Sequence, residues 1–187
     1  YPVSDFLADL HSGDCNESLC PLVFFPTAGD EAVCQKAREA AKTVDVPYRV
    51  RSTAKNGLYS YAVQKGIPAM LIERGCQGLW SAEEVSACRS DVLSLMGHLG
   101  ILTANRRMPV QTEISETVYE EACACGFWYP SVAAGEPIEK GRLLGRLAAS
   151  DGQILQEIRA SFDGVALYYT TALGVWKGEP LVAYGRP

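Results

Sequence analysis

The chain changes texture near residue 105, and no other feature limits its folding as strongly. Before that point short apolar runs alternate with helical patterns, the signature of an α/β layer. After it come short strands separated by Gly, Pro and Asp-Gly turns, with no convincing helix. Phe6-Leu7-Ala8-Asp9-Leu10, Leu22-Val23-Phe24-Phe25 and Ala69-Met70-Leu71-Ile72 predict buried strands, and Tyr48-Arg49-Val50-Arg51 alternates like a fourth. Asp30 to Asp45 predicts a helix with Val33, Ala37, Ala40, Ala41 and Val44 on one face. Leu58 to Lys65 predicts a short helix closed by Gly66, and Asn56-Gly57 before it a turn. Ser81-Ala82-Glu83-Glu84 is a capping box. It opens a helix expected to turn Val85, Cys88, Val92, Leu95, Met96 and Leu99 inward.

Asn105-Arg106-Arg107-Met108-Pro109 is a polar break and the expected linker. We therefore expect residues 1–104 to form an α/β domain and residues 105–187 a small all-β barrel or sandwich. Two segments of the second region echo each other. Val132-Ala133-Ala134-Gly135-Glu136-Pro137 precedes one apolar strand, and Val175-Trp176-Lys177-Gly178-Glu179-Pro180 precedes another. Such an echo suggests internal pseudo-symmetry. Asp151-Gly152 and Asp163-Gly164 signal turns.

Composition narrows the function classes. In 187 residues, 48% are hydrophobic and 21% charged, the profile of a folded domain and not of a disordered one. Net charge is -5, with no basic stripe interleaved with aromatics, so a nucleic-acid partner is not expected. No apolar run reaches the ~18 residues of a membrane span, so no membrane partner is expected either. The opening Tyr1-Pro2-Val3-Ser4-Asp5 does not begin with Met and contains no charged leader before an apolar stretch; no signal peptide is expected, and the start is compatible with processing or truncation. The seven cysteines are odd in number and none has C-x-x-C spacing, which suits reduced thiols in a cytoplasmic protein.

Two strand ends carry the candidate chemistry. His11, one of two histidines, follows an apolar strand in Asp9-Leu10-His11-Ser12-Gly13. Polar residues at such ends point into the ligand crevice of α/β sheets, and an imidazole there is a candidate zinc ligand with Asp9 to orient it. Its bland reading is a hydrogen-bonded histidine with no metal. Glu73 ends the strand before Arg74-Gly75-Cys76-Gln77-Gly78. A carboxylate there can serve as general base, or merely pair with an arginine. His98, at a helix end, is read as structural.

Taken together these segments resemble the succinylglutamate desuccinylase/aspartoacylase family of zinc carboxypeptidase-like deacylases, and in particular its C-terminal portion. The stretches that carry the resemblance are Ala8 to Asp14, Gly66 to Gly75 with the helix after it to Leu102, and Gly126 to Gly185. The resemblance implies a partial zinc-carboxypeptidase-like α/β/α sandwich followed by a β-rich domain. It implies His11 as a zinc ligand in an Asp-Leu-His motif and Glu73 as the catalytic residue of a Glu-x-Gly motif. The implied activity is zinc-dependent hydrolysis of an amide (or ester) bond in a small N-acyl amino acid. The chain departs from the family in having no His-x-x-Glu, which supplies the family's other two ligands, so this chain alone is expected to be incomplete. Arg74 stands where the family often has a small or apolar residue, and is taken as a contact for an anionic substrate group. An incomplete sheet exposes an apolar edge or face and invites homo-oligomers.

Three other readings compete. The chain can be a catalytically inactive binding or assembly protein of the same fold. The β-rich region also resembles biotinyl/lipoyl carrier barrels in its turns, but Ala149-Ser150-Asp151-Gly152-Gln153 has no lysine for attachment. Cys123 and Cys125 can belong to a thiol metal site if two more ligands lie nearby.

Overall fold

A computed structural model describes residues 3–103 and 108–187; most of the expected linker, Asn105 to Arg107, lies outside the described residues. From the N terminus the chain forms β1 (Leu7–His11), β2 (Glu17–Leu19), β3 (Leu22–Pro26), α1 (Glu31–Ala41), β4 (Tyr48–Ser52), α2 (Leu58–Gln64), β5 (Ala69–Glu73), α3 (Ala82–His98) and β6 (Thr112–Ile114). Eight strands follow: β7 (Glu116–Glu121), β8 (Gly126–Pro130), β9 (Pro137–Ile138), β10 (Leu143–Ala148), β11 (Ile154–Arg159), β12 (Gly164–Thr170), β13 (Gly174–Val175) and β14 (Pro180–Arg186).

The chain divides into two compact units. The first comprises Tyr1–Ser12, Pro21–Gly75 and Trp80–Ile114; the second comprises Gly13–Cys20, Cys76–Leu79 and Ser115–Pro187. The border read from the sequence lay near residue 104. The contacts put β6 with the first unit, because it pairs in parallel with β4. They put β2 with the second unit, because it pairs with β12. A strand of three residues carries too little pattern to reveal such an exchange.

The first unit is built on a mixed sheet of order β1-β5-β3-β4-β6. β1 runs parallel to β5 and β3 parallel to β4, while β3 and β5 are antiparallel. Every residue of β3 is buried, which is why it reads as a continuous apolar run. Alternation sends Val23, Phe25, Met70 and Ile72 to one face, where they pack with Ala40, Ala41, Val44 and Leu95. Asp30 caps α1 by accepting from the Val33 N–H, and Ser81 caps α3 by accepting from the Glu84 N–H. α1 stops at Ala41, short of the expected Asp45, where the Gln111 side-chain amide donates to the carbonyls of Ala41 and Val44.

α3 departs most from its expected packing. Leu95 is buried, but Val85 is 59% and Leu99 39% exposed. The helix is fastened by a polar residue instead. Asp91 is 1% exposed and takes the Arg74 guanidinium at 2.5 Å and the Asp45 N–H at 2.8 Å.

In the second unit two sheets enclose one core; they form a sandwich and not a closed barrel. One sheet has the order β11-β10-β8-β13, and the other β2-β12-β14-β7 with β9 added to β12. Trp128, Leu144, Leu147, Leu181 and Tyr184 lie in the shared core. Gly145 gives Trp128 room, since a Cβ there would sit 2.2 Å from the indole.

The echo in the sequence is an echo in the structure. Gly135 and Gly178 have φ of 83° and 84°, in turns where Glu136 and Glu179 accept from the N–H of Ala133 and Trp176, each at 2.9 Å. Gly135 donates to the Ala166 carbonyl and Ala166 back to Glu136; Gly178 donates to the Ala122 carbonyl and Ala122 back to Glu179. The two halves repeat one hydrogen-bonding scheme. The Asp151-Gly152 turn joins β10 to β11 with Gly152 at φ 88°. Asp163-Gly164 makes no positive-φ turn: Gly164 lets the backbones approach, since a Cβ there would lie 2.2 Å from the Gly185 carbonyl oxygen.

Candidate active site

Register creates the candidate site. β1 and β5 are parallel neighbours whose last residues, His11 and Glu73, are direct partners. Asp9, His11 and Glu73 alternate with Ala8, Met70 and Ile72, so they face away from the cluster that holds α1 and α3. His11 Nδ1 lies 3.2 Å from a Glu73 carboxylate oxygen, and its Nε2 lies 3.3 Å from Asp9 Oδ1. The imidazole is 50% exposed, while both carboxylates are largely covered. The site is thus an accessible ring held between two shielded acids. After it the chain leaves β1 through Ser12 and Gly13, whose φ is 69°, and leaves β5 through Gly75, at φ 73°.

Tyr59 is a neighbour that sequence reasoning missed. It sits on α2, which packs over β1, β5 and β3. It is buried, and its hydroxyl lies 2.7 Å from Ser52 Oγ. Burial pushes the Tyr59 phenol above its ordinary range; the Ser52 hydrogen bond opposes this, and the charges of Asp9 and Glu73 push it further up. Its place on the buried face of α2 with Ala62 and Val63 was readable from helical spacing. Which side of the sheet that face would cover was not.

Arg74, expected to contact an anionic substrate group, is not part of this cluster. It is 8% exposed and lies on the opposite side of the sheet. Its Nε donates to Asp91 and its Nη2 to the Asp45 carbonyl at 2.7 Å, with Glu84 at 3.7 Å. A guanidinium with those partners is a bolt between α3 and the turn after α1. His98 closes α3, as read.

A catalytic zinc ion ordinarily takes three protein ligands and keeps one open position. The chemistry of the donors here is one imidazole with two carboxylates, and both ring nitrogens face those carboxylates. Among the described residues no group of three or more His, Cys, Asp or Glu is arranged to hold a metal ion. The described residues therefore do not by themselves fit a zinc centre. The same observation covers Cys123 and Cys125, which are exposed free thiols between β7 and β8. No helix among the described residues is long and apolar enough to cross a membrane.

Comparison with solved proteins defines the class: the fold is that of succinylglutamate desuccinylase/aspartoacylase proteins. The product-bound ectoine utilization protein EutE (DoeB) from Ruegeria pomeroyi superposes with a TM-score of 0.87 at 23% identity, over 100% of this chain and 59% of that one. A succinylglutamate desuccinylase/aspartoacylase from Rhodobacter sphaeroides gives 0.81 at 21% identity, over 99% and 59%. In sequence the chain is 25% identical over 174 residues to the N-alpha-acetyl-L-2,4-diaminobutyric acid deacetylase of Halomonas elongata, covering 88% of this chain and 51% of that protein. The chain spans about half the length of this curated relative. No protein-family model matches it. The resemblance read from the sequence thus holds at the level of fold.

Proposed function

We propose that this chain is part of a hydrolase that cleaves the amide bond of a small N-acyl amino acid. The observation that carries the reading is the meeting of His11 and Glu73, 3.2 Å apart, at the ends of adjacent parallel strands. Similarity to a diaminobutyric acid deacetylase supports the same class of reaction. In this reading Glu73 is the general base. It takes a proton from water as the water oxygen adds to the acyl carbonyl carbon. It then returns the proton to the nitrogen as the C–N bond breaks, leaving a carboxylate and an amine. Asp9 holds the His11 ring in place.

Zinc belongs to the proposal through His11. A zinc ion would need His11 together with donors from outside the described residues, and bound there it would polarise the carbonyl and acidify a water. The free cysteines favour a reducing compartment, and we place the protein in the cytoplasm. A second reading, a binding or assembly protein of the same fold, is favoured by one observation, that the described residues include no three-donor set. Measured release of free amine from N-acetyl-diaminobutyrate and other N-acyl amino acids by the full-length protein decides between them. Turnover that a chelator stops and zinc restores supports the deacylase. Absence of turnover on every substrate with zinc supplied supports the binding protein and overturns the deacylase.

A further inference from the structure

A cavity at the other end of the first unit's sheet takes no part in this chemistry. It encloses about 230 Å³, lined by Phe25, Thr27, Cys34, Gln35, Arg38 and Arg51 among others. Glu73 pairs with Leu22 at the start of β3, whereas the cavity opens at Pro26, the end of that strand. Four residues of strand, roughly 13 Å, separate the two.

Two arginines, Arg38 and Arg51, line the cavity. Arg38, Arg49 and Arg51 all converge on the single carboxylate of Glu113, at 2.8 to 3.1 Å. Glu31 lies on the cavity's rim. Arg51 reaches Glu113 through Nε alone, and Arg38 through Nε and Nη2. The two terminal nitrogens of Arg51 and Nη1 of Arg38 make no hydrogen bond to another described residue. Glu113 fixes both forks in place, which lowers the ordering cost of a ligand. An arginine fork matches a carboxylate in shape and charge. Phe25 and Pro26 add an apolar wall.

We propose that this cavity binds a small monocarboxylate with a short apolar chain, its carboxylate on Arg51 and Arg38 and its chain against Phe25 and Pro26. Cys34 provides a reporter. Burial first, and then the charge of Asp30, hold its thiol above the ordinary range, so it reacts slowly and serves as wall.

Butyrate tests the site, with n-butylammonium as a cation of the same length. Binding to the full protein is followed by calorimetry, and Cys34 labelling by iodoacetamide through peptide mass mapping. Butyrate should saturate and slow Cys34 labelling, and n-butylammonium should do neither. Arg51→Ala, shown by circular dichroism to be folded, should weaken butyrate by about tenfold or more, the size of one lost charge-assisted hydrogen bond. If Arg51→Ala does not fold, Arg51→Lys keeps the charge and loses the fork, and should also weaken binding. No butyrate binding, equal binding of the two probes, unprotected Cys34, or an affinity unchanged in the Arg51 variant would each overturn the proposal.

Discussion

Arg74 and Glu73 are adjacent in sequence and opposite in fate. Strand alternation turns the carboxylate toward His11 and the guanidinium toward α3. Arg74 satisfies Asp91, which is 1% exposed, so the pair is a buried bridge whose partners depend on each other. Removing one member leaves the other charged and desolvated. Asp91→Ala should therefore destabilise the protein by about 3–5 kcal/mol, read as a fall in the denaturant midpoint. A change under about 1 kcal/mol would mean that Arg74 finds water or another partner. The adjacency of Glu73 and Arg74 is visible in the sequence. Asp91, 17 residues away on a helix face, carries no signal that marks it as buried, because a lone carboxylate at that spacing ordinarily reads as solvated.

Among elements, the strands were the most legible. β3 and β5 are long apolar runs, and the structure places them in the middle of the sheet. The cap of α3 was legible because the Ser-x-x-Glu box that marks it is local in sequence. The buried face of α3 was not, because its apolar residues are only partly covered while a polar residue, Asp91, anchors it. β6 was missed altogether. It is tied to β4 and α1 by Glu113, whose three arginine partners come from two elements. Burial alone would raise the Glu113 carboxyl; hydrogen bonds from Arg38, Arg49 and Arg51 outweigh it and hold it down at about 2, against an ordinary 4.5. A depressed folded-state value means stability that is present above the ordinary value and is lost as pH falls through the folded one. Thermal stability should therefore decline between pH 4.5 and about 2, and Glu113→Gln should flatten that decline. An identical acid profile in the variant would assign the loss to other carboxylates.

On the scale of the whole molecule, two units of different construction share the chain. The second repeats one turn, with Gly135-Glu136-Pro137 and Gly178-Glu179-Pro180 making equivalent bonds, and this repeat was legible because glycine and glutamate each have a fixed task in it. The exchange of β2 and β6 between the units was illegible, since it depends on which strand each meets in space. The first unit sets His11 and Glu73 together through parallel pairing of β1 and β5, and the proposed hydrolysis depends on that pair. The most direct test replaces Glu73 with Gln in the full-length protein and measures kcat and KM on an N-acyl amino acid, with zinc content and circular dichroism alongside. Loss of kcat on the order of 10²–10⁴-fold, with KM, fold and metal content unchanged, is the result expected of a general base. Turnover within a few-fold of the parent protein would contradict it.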